Sequence, residues 1–163
     1  MPFRVDVMKG RTAPLTERIA LGGAIVGALA MIIGPFGAWG RAGSYTAPGL
    51  GSASDDALRL YPGLDEIGGL NAIAVLLAGV VALGALLAHA LRATRSALPV
   101  VLVASAVGTL FAVLGLLEVT GAEVGFGGAD PTWGVITALA GGLLAGVASA
   151  LLLIRGSPGS AEP

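Results

Sequence analysis

The chain contains no cysteine. Disulfides, thiolate metal sites and cysteine nucleophiles are therefore excluded, and redox compartment leaves no mark on the sequence. There is a single histidine, His89. One imidazole cannot supply the three or more ligands of a metal centre, and no histidine pair exists to hold haem. Charge is scarce as well, at 12% of residues, where a soluble domain carries about 25%. A net charge of −1 gives no field that would draw nucleic acid. No glycine-rich phosphate loop adjoins a strand, and no nucleophile, base and orienting group cluster together. No enzyme activity, cofactor or metal is expected.

What the chain has is apolar length. Hydrophobic residues make up 55% of it, and its mean hydropathy is +0.89. Four runs stand out, at about 19–38, 69–91, 98–118 and 131–154. Each holds about 20 residues, enough to cross ~30 Å of hydrocarbon as a helix. The expected fold is all-α, a polytopic membrane four-helix bundle. Residues 1–18 form a short basic segment before it, and 155–163 a disordered-looking tail. The first run is longer than a signal-peptide core and no clean A-x-A site follows, so it reads as a retained span.

Local punctuation sharpens the boundaries. Thr16 is an expected N-cap for span 1. Gly34-Pro35 kinks or ends that helix, and Trp39 follows at interface depth. Residues 40–66 form the longest loop, in which Ser54-Asp55-Asp56 opens one short helix stopped by Pro62-Gly63. Asp130-Pro131-Thr132-Trp133 reads as the start of span 4, with Asp130 as cap and Pro131 in first position.

Charge placement orients the bundle. Arg4, Lys9, Arg11, Arg18, Arg92, Arg95 and Arg155, seven of nine positive residues, fall in segments on one side. Asp55, Asp56, Asp65, Glu66, Glu118, Glu123 and Asp130, seven of ten negative ones, fall on the other. The positive-inside rule then puts both termini in the cytoplasm. The expected location is the inner (cytoplasmic) membrane. The excess of Arg over Lys, with abundant Ala and Gly, reads as a high-GC bacterial composition.

Candidate functional residues are few. Asn71 and His89 lie eighteen residues apart on span 2, five helical turns, and so point the same way. Ala74, Ala78, Ala82 and Ala85 form a narrow stripe between them, a packing face that should make span 2 the most enclosed helix. Ser105 and Thr109 flank a small-residue face of span 3 (Ala104, Gly108, Ala112, Gly115). Thr137 belongs to one on span 4 with Gly134, Gly141, Ala145 and Ala148. Such faces let helix backbones approach closely in lipid, and polar side chains bond across them. Asn71, His89, Ser105, Thr109 and Thr137 are the expected interhelical polar contacts. Glu118 is a carboxylate at the outer mouth of span 3, solvated or holding a proton or cation. No span carries an acid or base at mid-depth, where a coupled transporter would need one.

Glu17-Arg18-Ile19-Ala20-Leu21-Gly22-Gly23-Ala24, an apolar run, and then Pro35-Phe36-Gly37-Ala38-Trp39 are similar to small four-span actinobacterial membrane proteins. Those open with ER-x-A-L-G-G-A and end span 1 in a Pro-Trp-aromatic corner; a Trp near the start of the last span and a Gly-Gly centre are shared too. The resemblance implies the four-span layout and no activity. The layout also resembles claudin-type bundles, with a long first outer loop but without that loop's cysteine pair.

These features lead to two expectations. The first is a non-enzymatic accessory or structural subunit, or a scaffold, packed against other subunits of a larger membrane complex. The alternative is a lipid or small-solute binding or transport protein acting as an oligomer. The bilayer is a partner in both.

Overall fold

The computed structural model describes residues 14–61, 64, 67–92, 96–121, 123–124 and 127–156. Residues 1–13 of the basic N-terminal segment, Pro62-Gly63, Asp65, Glu66, Arg95 and residues 157–163 of the C-terminal tail lie outside the described residues.

Helix α1 runs Leu15–Ile33 and begins at Pro14, two residues before the expected cap. The Pro14 carbonyl accepts from the Glu17 and Arg18 amides at 2.9 and 3.2 Å, so Thr16 lies inside the first turn. The α-helical ladder stops where Pro35 has no N–H to continue it, and Gly34–Phe36 tighten into a 3-10 turn. The other elements are β1 (Ala38–Ala42), β2 (Tyr45–Pro48), α2 (Asp55–Leu60), α3 (Gly69–Arg92), α4 (Ala97–Gly121), the two-residue strands β3 (Glu123–Val124), β4 (Gly127–Gly128) and β5 (Asp130–Pro131), and α5 (Trp133–Gly156).

The four long helices form a closed ring. α1 packs between α3 and α5, and α4 packs between the same two. The interior is built from small residues, including Ala24, Ala28, Ala78, Ala82, Ala112, Ala138 and Ala145, with Met31 wholly buried among them. At the α1–α5 seam the backbones nearly touch. A Cβ added to Gly27 would stand 2.6 Å from both the Ala145 nitrogen and the Gly141 oxygen. The outside carries the large residues: Val26, Leu77, Val80, Val103, Leu110, Ile136, Leu143 and Val147 are all exposed. Water would not tolerate that surface and lipid would. Four helices in the structure are long and apolar enough to span a membrane, the architecture of a multi-pass membrane protein.

Span 2 is not the most enclosed helix. A third of its core window (33%) is buried, against 44% for α5. Its alanine stripe coincides only in part with the buried face: Ala78 and Ala82 are buried. The buried face of α3 centres on Val75, Ala82 and Leu86, while Ala74, Ala85 and His89 stand one step around and are only half-buried.

A small β-sheet caps one end of the ring. β1 and β2 form an antiparallel hairpin turning at Gly43, whose φ of +58° suits glycine. β5 pairs with the other side of β1, giving the order β2-β1-β5. Asp130 and Pro131 therefore do not start span 4. They pair with Arg41 and Gly40, and Pro is tolerated there because β5 is an edge strand. Thr132 makes the join: its amide donates to the Trp39 carbonyl at 3.0 Å and its hydroxyl to that of Ala38.

Trp39 does not present its ring at the protein surface either. It is wholly buried, and its indole N–H donates to the Gly34 carbonyl at 3.2 Å. Its ring lies where a Cβ on Gly115, Gly134 or Gly49 would strike it, so three distant glycines make its socket. Trp133 is the exposed indole, at 55%. In the same cap, the Ser54 hydroxyl accepts from the Ala57 amide at 3.3 Å at the start of α2. Leu64 and Ile67 are buried beneath.

Candidate functional site in the membrane-spanning ring

The polar residues singled out above do not converge. At the cap end, Asn71 donates from Nδ2 to Glu118 Oε1 at 2.6 Å, joining α3 to α4. Asn71 is buried, whereas Glu118 is exposed. Asn71 is the third residue of α3, so the carboxylate also lies near the positive end of that helix. Helix pairing accounts for this carboxylate without a ligand. His89 is half-buried near the opposite end of α3, and Thr137 is half-buried on α5.

Ser105 and Thr109 come together on α4. The Thr109 hydroxyl donates to the Ser105 carbonyl at 2.8 Å, a bond within its own helix and not the expected contact across helices. A threonine hydroxyl in a helix readily reaches the carbonyl four residues back. Ser105 is wholly buried, and its hydroxyl has no hydrogen-bond partner.

Both residues line a groove of about 530 Å³ between α4 and α5. Leu102, Leu110 and Val113 also line it from α4, and Gly142, Leu143 and Gly146 from α5. The two glycines serve different ends. A Cβ on Gly142 would collide with the Thr109 hydroxyl, so close packing requires glycine there. A Cβ on Gly146 would meet Ser105 Cβ at 3.6 Å, an ordinary contact. Packing would admit alanine at 146; glycine leaves the groove deeper.

Gly142 and Gly146 were missed by the small-face reading of span 4, which followed Gly134, Gly141 and Ala145. That face is the one turned to α1. A second G-x-x-x-G at 142–146, one step around the helix, is the signal that marks the groove. No family model, curated protein or solved structure matches this chain.

Proposed function

We propose that the protein is a non-enzymatic membrane protein of the cytoplasmic membrane, with both termini inside and the sheet cap outside. In this reading it binds a lipid or similarly apolar small molecule in the α4–α5 groove. The observation that carries it is the groove itself: 530 Å³ lies within the range of small-molecule sites, about 300–1,000 Å³. Its walls are apolar, with Leu102, Leu110, Val113 and Leu143 among them. Filling the groove tests the proposal. Native mass spectrometry of the detergent-purified wild type should retain one apolar molecule per chain through delipidation. Gly146→Leu should lose it with unchanged helix content. Equal delipidation of the two would refute the proposal.

The accessory or scaffold role is a second reading. It rests on whatever small-residue surface is left once the bundle itself is packed. Much of the small-residue surface, including Gly108, Gly115, Gly134 and Gly141, is used inside the ring. Gly22 and Gly84 keep open space around them on the outer faces, and a partner helix would meet the protein there. Cross-linking at native expression tests this reading; a free monomer throughout would count against it.

A further inference from the structure

We propose that the end of the ring opposite the cap carries a basic rim that binds the headgroups of anionic phospholipids. The rim lies outside the α4–α5 groove, whose lining runs from Leu102 to Val113 on α4 and from Gly142 to Val147 on α5. It is a second surface, independent of the reading of that groove.

Packing brings three arginines near one level. Ala20 of α1, Leu98 of α4 and Leu152 of α5 form a buried layer that closes the ring at this end. Arg18 lies two residues outside Ala20, about 3 Å along its helix, and Arg155 three residues outside Leu152, about 4.5 Å. Both are exposed. Arg92 is the last residue of α3, and only four residues separate it from Ala97, where α4 opens. The sequence adds Arg95 to that link and Arg4, Lys9 and Arg11 ahead of α1.

Helix termini do not offset this charge. Two long helices start at this end and two finish there, so their terminal partial charges cancel in pairs. Among the described residues, Glu17 is the one acid at this end. The cap holds the opposite balance, with Asp55, Asp56, Glu118 and Asp130 against Arg41 and Arg59.

The neighbours of the arginines identify the partner. Ile19 beside Arg18, Leu91 beside Arg92 and Ile154 beside Arg155 are all exposed. A soluble polyanion would meet the basic residues and leave these aliphatic side chains in water. A phospholipid suits both: its phosphate accepts paired hydrogen bonds from an arginine, and its chains cover the aliphatic side chains. A zwitterionic lipid offers the same phosphate, but its own ammonium offsets the attraction. An anionic headgroup keeps its net charge, which makes the rim selective.

The test uses the full delipidated chain in a neutral detergent, equilibrated with equimolar phosphatidylglycerol and phosphatidylcholine of identical chains. Native mass spectrometry counts each lipid retained. One basic residue close to an anionic surface contributes about fivefold, so the wild type should retain the anionic lipid about three- to fivefold over the zwitterionic one. Arg18→Gln, Arg92→Gln and Arg155→Gln together should lower that ratio below about twofold, with helix content unchanged. Glu17→Gln, at an exposed position, should raise it. Arg41→Gln with Arg59→Gln, on the cap, should leave it unaltered. Equal retention in the wild type, a preference that the triple variant keeps, or one that Glu17→Gln fails to raise would overturn the proposal. So would a preference abolished by inorganic phosphate but not by chloride of equal ionic strength, which would assign the rim to a soluble anion.

Discussion

Adding one methyl group at each of three glycines probes the ring directly. At Gly27 the new Cβ would stand 2.6 Å from two backbone atoms of α5. Ordinary contact starts at 3.4 Å, so α1 and α5 must part by about 0.8 Å. Backbone atoms cannot rotate away as a side chain could. A radial gap of 0.5–1 Å forfeits a quarter to a half of each van der Waals contact along the seam. Overpacking of this kind costs about 1–3 kcal/mol, and Gly27→Ala belongs at the upper end because neither wall yields. Helix propensity opposes the loss by at most about 1 kcal/mol. Gly84 faces open space, so Gly84→Ala should be neutral or slightly stabilising. Gly146→Ala, at 3.6 Å from its nearest neighbour, should be within about 0.5 kcal/mol of wild type, as for a change that disturbs no packed contact. The assay is reversible unfolding in mixed micelles, or melting temperature in one detergent. An unchanged Gly27→Ala, or a Gly84→Ala as damaging as Gly27→Ala, would refute the seam.

Further outcomes follow from the cap and the spans. Asn71→Leu should cost about 0.5–2 kcal/mol, since a charge-assisted bond across helices is lost but the exposed carboxylate is rehydrated. A double-mutant cycle with Glu118→Ala in the same unfolding assay should give coupling of that size, and zero coupling would dismiss the pair. Trp39→Ala should destabilise by about 3–5 kcal/mol, the usual cost of deleting a buried Trp. Lipid-borne bromine should quench the fluorescence of Trp133 far more than that of Trp39, read in Trp39→Phe and Trp133→Phe. Because the chain lacks cysteine, single cysteines report sidedness cleanly. Ser52→Cys in the cap should react with an impermeant maleimide on intact cells, and Ser96→Cys only after lysis.

The spans were legible in the sequence because a run of about twenty apolar residues is itself the signal. The end of α1 was legible because proline lacks the N–H a helix needs. The sheet was not. β1 is AWGRA and β2 is YTAP, short segments rich in glycine, alanine and proline with little strand propensity. β5 reaches β1 from about ninety residues away, Asp130 beside Arg41, and that pairing has no local trace. Trp39 misled for a similar reason. An indole after an apolar run suggests the interface, but Gly115 and Gly134 decide its fate from elsewhere in the chain. Ser105 and Thr109 were identifiable as polar marks on span 3. That they line one groove depends on the rotation of α5, which turns Gly141 to α1 and Gly142 to α4.

The most direct measurement of the central claim is photo-cross-linking in the bilayer. A phospholipid with a mid-chain diazirine would be activated around the wild-type protein and the adducts mapped by peptide sequencing. The groove as working face predicts adducts concentrated on 102–113 and 142–147, and their loss from those segments in Gly146→Leu. Adducts spread evenly over these segments and the outer faces at Val26, Leu77 and Val80 would contradict it.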